Sequence, residues 1–167
     1  MSNVIRILSI IFAFLSLISL IQSIIDIGLV SIFSDLIAYY RNASQQVFKI
    51  FEILFTINIP QTLKDLWLLS FIGSGAYIRT SNIENSRLLR NFELSSENKY
   101  WKLVLFLTMG ISFIGVIIIF SIFNPLTYTD SMSEEPQDLM RGAAKYCFIV
   151  VIGTCVFFVL NAYAPSV

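Results

Sequence analysis

Leu103–Phe123 reads LVLFLTMGISFIGVIIIFSIF, 21 residues without a charge. A helix rises about 1.5 Å per residue, so this stretch reaches across the roughly 30 Å hydrocarbon core of a bilayer. Fifteen of its residues are Leu, Ile, Val or Phe. Insertion is therefore favoured by roughly 5 kcal/mol before Gly, Ser and Thr are subtracted. Tyr100, Trp101 and Lys102 precede it, an aromatic and basic anchor for headgroup level, and Asn124-Pro125 stops it. The stretch predicts a transmembrane helix, and the rest of the chain reads outward from it.

The composition agrees. The chain is 56% hydrophobic and only 13% charged, against about a quarter charged for soluble domains. Its apolar residues come as long runs, a pattern of lipid-facing helices. Eleven basic and eleven acidic residues cancel, which gives no general attraction to nucleic acid. Histidine is absent, and with it the commonest general base and metal ligand. Cys147 and Cys155 share one predicted helix about 12 Å apart along its axis, too far for a disulfide.

Three further runs predict spans, giving an all-α polytopic membrane protein with four transmembrane helices at about 4–25, 63–79, 103–123 and 143–163. In the first, Ser9, Ser16 and Ser23 recur every seven residues with Ala13 and Ser19 between them, a seam for close helix approach. In the second, Pro60 and the Thr62–Asp65 pair mark a new N-terminus. Gly73 and Gly75 suit it to burial, while Lys64 and Asp65 snorkel or pair near one face. In the third, Gly110, Ser112 and Gly115 give a small face. Between the first two spans, residues 31–57 predict an amphipathic segment. Phe33, Leu36, Ile37, Tyr40, Val47, Phe48, Phe51, Leu54 and Phe55 form its apolar stripe, with Asp35, Arg41, Gln45, Lys49 and Glu52 mostly opposite. Asp35 and Arg41 read as charges on that polar face or as an interhelical pair.

The connector 79–102 is the most polar stretch, with Arg79, Arg87, Arg90, Lys99 and Lys102 against Glu84, Glu93 and Glu97. Basic loops stay cytoplasmic, so four crossings predict both termini in the cytoplasm. No nucleotide loop, metal-ligand cluster or nucleophile–base pair is legible, so the expectation is a non-enzyme without a cofactor. The small faces of the first three spans predict self-association, or else they pack within one protomer.

Asp35–Arg41 (DLIAYYR) and Leu63–Asn85 (LKDLWLLSFIGSGAYIRTSNIEN) resemble the membrane subunits (KwaA) of bacterial Kiwa antiphage defence systems. The resemblance implies an inner-membrane homo-oligomer, a tetramer, that senses phage attack at the envelope and works with a cytoplasmic effector (KwaB-like). It brings no functional residues with it. On residue grounds Arg79, Glu84, Arg87 and Arg90 form the candidate partner-binding surface, the other reading being an anchor to anionic lipid. The amphipathic segment with Asp35, Tyr40 and Arg41 could report membrane disturbance or serve as a structural collar. The competing functions are a colicin-type immunity protein and a small oligomeric channel, and on any of these readings the chain is not expected to bind nucleic acid directly.

Overall fold

The computed structural model describes residues 2–80, 99–112, 114–123 and 134–164. Those residues are all-helical, without a strand: α1 (Ser2–Ile25), α2 (Ser31–Phe55), α3 (Gln61–Leu69), α4 (Phe71–Thr80), α5 (Lys99–Ile111), α6 (Ile114–Phe123) and α7 (Glu134–Tyr163). Asp26 (φ 54°) and Thr56 (φ 52°) close α1 and α2 in the left-handed region that ends helices. Pro60 opens α3 from an extended conformation without a side-chain cap, so the Thr62–Asp65 capping signature is not used and Asp65 turns inward.

The centre is α4. Its sequence FIGSGAYIRT is buried from Phe71 to Ala76, and it touches α1, α3, α5, α6 and α7. Small residues make that possible, because a helix surrounded on all sides must let its neighbours' backbones come close. A Cβ on Gly75 would meet Ser9 at 2.6 Å, and one on Gly73 would meet the Gly115 carbonyl oxygen at 2.2 Å. Ser9, Ala13, Ser16 and Ser19 are all fully buried against the rest of the protomer, whereas Ser23 is exposed and donates to its own helix at Leu20. Nearly all of the predicted small faces are thus consumed inside one chain.

Contacts fix the directions of the helices. Ile5 clusters with Ile78, Ser9 meets Gly75, and the Ser16 hydroxyl donates to the Asp65 carbonyl, so α3 and α4 run antiparallel to α1. Tyr146 approaches Gly75 beside Ser9, Gly153 packs on Phe14, Phe157 clusters with Ile18, and Asn161 reaches Gly28 and Val30. α7 therefore rises parallel to α1, and Ser2 and Ala164 lie at opposite ends of the bundle. Four full-length helices in series would instead bring those two ends together.

The reason lies in the stretch expected to be one span. Leu103–Phe123 is divided between α5, which ends at Ile111, and α6, which begins at Ile114. α5 runs along α4 until Gly110 lies on Phe71. α6 then starts with Gly115 against Ser70 and continues along α4, not α3, with Ile119 in the cluster of Ala76, Ala143 and Tyr146. The two halves form a helical hairpin that returns to the end it came from. A break in apolar surroundings leaves helix-end carbonyls without partners. Here the Trp67 indole N–H donates to Gly110 and Ile111 (3.1 and 2.6 Å), and the Ser70 hydroxyl donates to Gly110 (3.0 Å). α3 itself steps into α4 at Ser70, so two helix breaks meet at one point.

Among the described residues two helices are long and apolar enough to cross a membrane, Asn3–Ile25 in α1 and Arg141–Tyr163 in α7, and only 33% and 28% of their most apolar stretches are buried. The core helix of a soluble protein buries most of its apolar surface. Here Ile7, Ile11, Phe148, Ile152, Val156 and Leu160 point outward. An outer surface of this kind is consistent with a membrane location.

Candidate functional site

The polar chemistry of the described residues gathers where α2 crosses the bundle. α2 turns Phe33, Ile37, Tyr40, Ser44, Phe48 and Phe51 toward its neighbours, a helical register of fours and threes. This face is rotated from the one expected. Leu36, Val47 and Leu54 are exposed at 45%, 56% and 70%, while Arg41 and Glu52, expected on the polar side, face the protein. The polar groups on α1 and α3 outweigh the hydropathy of single α2 positions in setting the rotation.

Asp65 is fully buried at the junction of α1, α2 and α3. Its Oδ1 accepts from the Tyr40 hydroxyl and from Gln61 Nε2, both at 2.9 Å. Arg41 lies one residue along α2. It donates from Nε to the Ser19 hydroxyl (2.9 Å) and from Nη2 to the Ser19 carbonyl (3.1 Å), which sets Ser19 and Arg41 beside Asp65, whose Oδ2 is buried without a hydrogen-bond partner. Further along α2, Lys64, 5% exposed, pairs with Glu52 at 2.8 Å, and Glu52 also accepts from the Ile59 backbone N–H. The hydrogen bond from Lys64 holds the Glu52 carboxyl below the usual carboxylate range. Leaving such groups buried and unpaired is costly, so each one fixes its partner. The result is a latch whose ties, Tyr40–Asp65, Arg41–Ser19, Glu52–Lys64 and a longer hydrogen bond from Gln61 Nε2 to the Ser44 hydroxyl (3.4 Å), hold α2 onto α1 and α3.

Beside the latch, α2 does not close on the bundle. A cleft of about 460 Å³ lies between it and α1, α3 and α5, walled by Phe12, Phe48, Phe51, Trp67 and Phe71. Tyr40 and Ser44 belong to both features, with one edge in the cleft and the hydroxyls in the latch.

Of the residues singled out from sequence, Tyr40 and Arg41 are brought together in this site and Asp35 is not, being exposed on the far side of α2. Ser16 and Ser19 join it from α1. Gly73, Gly75, Gly110 and Gly115 pack at the helix breaks and on α1, away from it. Ser112 is exposed at the turn of the hairpin, its hydroxyl on the Met109 carbonyl at 3.3 Å. Arg79 lies at the C-terminal end of α4, whereas Glu84, Arg87 and Arg90 fall outside the described residues. Asp65, Lys64, Gln61 and Glu52 were not expected as a cluster. The available signal was the charged pair Lys64-Asp65 opening an otherwise apolar run.

Among the described residues no three His, Cys, Asp or Glu side chains converge as metal ligands. The arrangement is one of mechanical fastening: polar ties of modest strength set between apolar surfaces. No family model, curated protein or solved structure matches the chain.

Proposed function

We propose that this chain is an inner-membrane sensor and scaffold subunit of an antiphage system, in which α2 reports the state of the bilayer and the connector 79–102 recruits a cytoplasmic effector. The observation that carries the reading is the latch. An amphipathic helix held by a few polar ties over an unfilled apolar cleft is a helix poised to move, and moving it changes how much apolar surface meets lipid. The resemblance of Asp35–Arg41 and Leu63–Asn85 to Kiwa membrane subunits supplies the defence context, the effector and the homo-oligomer.

The proposed topology has three crossings, by α1, by α3–α4 and by α7, with α5–α6 re-entering from the N-terminal side. Arg6, Arg79, Arg87, Arg90, Lys99, Lys102, Arg141 and Lys145 then share that side, and Arg41, Lys49 and Lys64 lie toward the other. An excess of eight over three basic residues favours the N-terminal side as cytoplasmic, a wider margin than four crossings give. The C-terminus is then external, and α2 lies toward the outer half of the bundle. Because the small residues of α1, α4 and the hairpin are used internally, self-association falls to the outward apolar faces.

The test is a phage challenge of cells expressing the chain with the product of its neighbouring gene. Deletion of the chain is expected to abolish protection. R87E/R90E is expected to abolish protection and co-purification of that product while leaving membrane insertion intact. Protection that does not depend on the chain refutes the sensor role, and unchanged co-purification refutes the connector as the docking surface. A second reading, a small oligomeric channel, is favoured by the re-entrant hairpin meeting a broken helix at Ser70, a geometry that lines pathways in transport proteins. Ion flux from the purified protein alone in liposomes selects the channel, and its absence from folded protein rejects it.

A further inference from the structure

We propose that the cleft under α2 is a binding site for one acyl chain of a bilayer phospholipid, and that its occupancy sets the position of α2; the proposal rests on the membrane-sensor reading above. Its volume of about 460 Å³ lies within the roughly 300–1,000 Å³ of ligand pockets. Water is a poor occupant, because an ordered water needs about two to four polar partners. The polar groups of the inner walls are already engaged: the Tyr40 hydroxyl with Asp65, the Ser44 hydroxyl with the Arg41 carbonyl, and the Trp67 N–H with Gly110 and Ile111. Leu15, Phe48 and Phe71 make the rest of the interior apolar.

The choice of a lipid chain follows from where the cleft opens. Its rim is formed by Ile11, Leu36, Val47, Leu107 and Ile111, each between 40% and 56% exposed. These residues belong to the same outward apolar surface as Ile7 on α1 and Ile50 on α2, so the cleft is continuous with the face that meets lipid. A flexible unbranched chain enters such a slot without leaving that phase. Removing it would expose the Phe48, Trp67 and Phe71 rings to a void whose walls lose their contacts. Tyr40 and Ser44 transmit the effect, since whatever presses on them from the cleft presses on their hydrogen bonds with Asp65 and Gln61 of α3.

The experiment uses the full chain with Trp101→Phe, which leaves Trp67 as the single tryptophan, reconstituted in phosphatidylethanolamine–phosphatidylglycerol vesicles whose acyl chains carry bromine. Bromine quenches indole fluorescence on contact. Trp67 emission is expected to be quenched, and Ala43→Phe, which fills the cleft from α2, is expected to remove most of that quenching. Leu107→Phe, filling it from α5, should do the same and guards against a folding defect peculiar to the first variant. Ala144→Phe, on the exposed side of α7, is the control expected to change nothing. Equal quenching in the filled and control variants overturns the proposal, because the bromine then reaches Trp67 without entering the cleft. No quenching in protein that resists carbonate extraction also overturns it, and assigns the cleft to another protein segment or a second copy. Release of the protein by carbonate overturns the membrane reading itself.

Discussion

Gly115→Ala tests the hairpin at its tightest point. A Cβ at Gly115 would lie 1.8 Å from the Ser70 carbonyl oxygen, backbone that no side-chain rotation can move away. Such contacts essentially never fall below 3.0 Å, so α6 must retreat from the α3–α4 step by at least about 1 Å. That shift opens the neighbouring Gly73–Gly115 contact and draws the end of α5 off Trp67 and Ser70, which hold it at 2.6 and 3.0 Å. Overpacking costs about 1–3 kcal/mol and the two hydrogen bonds about 0.5–1.5 kcal/mol each, so the expected loss is about 2–6 kcal/mol. The same substitution at Gly142 meets nothing within 4 Å and should stabilise α7 by up to about 1 kcal/mol, the helix-propensity difference. Unfolding in mixed micelles with increasing SDS mole fraction, followed by tryptophan fluorescence, reads both. A Gly115→Ala variant within about 0.5 kcal/mol of the parent refutes the close approach and with it the folded-back α6.

Tyr40→Phe removes one of two donors to a buried carboxylate and should weaken the attachment of α2 by about 1–3 kcal/mol, seen as faster hydrogen exchange confined to residues 31–55. If exchange in α2 is unchanged, Asp65 does not hold the helix. The depressed pKa of Glu52 means that its tie to Lys64 is present above the ordinary glutamate range and is lost as pH falls through the lowered folded-state value. α2 should accordingly loosen in acid, and Glu52→Gln should flatten that part of the pH profile of exchange; an identical profile in the variant places the dependence elsewhere. For topology, single cysteines placed at Ser2 or Ala164, after Cys147 and Cys155 are replaced, should react oppositely with an impermeant maleimide on intact cells. Only the Ala164 position is expected to label, and labelling of both or neither sinks the parallel crossing of α1 and α7.

Some of this was legible in the chain. The helical class, the two long apolar rods α1 and α7, the change of character between the first span and the segment from residue 31, and the restart after Pro60 follow from local hydropathy and backbone chemistry. So does the suitability of Phe71–Thr80 for burial, since a run with Ser, Gly and Ala at short spacing can pack only against close neighbours. The candidate site was legible only in fragments. Tyr40 and Arg41 stood out on α2, but the rotation that points them inward is set by their partners Asp65 and Ser19, which are 25 and 22 residues away in sequence.

Hydropathy is a local quantity, and it settled which segments prefer lipid or protein to water. It could not decide whether Leu103–Phe123 crosses or turns back, because the turn depends on Trp67 and Ser70 bonding the carbonyls that a break sets free, and on Gly115 admitting the Ser70 carbonyl. The tertiary structure lays α6 back along α4, and the direction of α7 follows from it. The same holds for Asp65 and Lys64. As sequence they are two charges at the edge of an apolar run, and only the packing of α2 over them makes a latch.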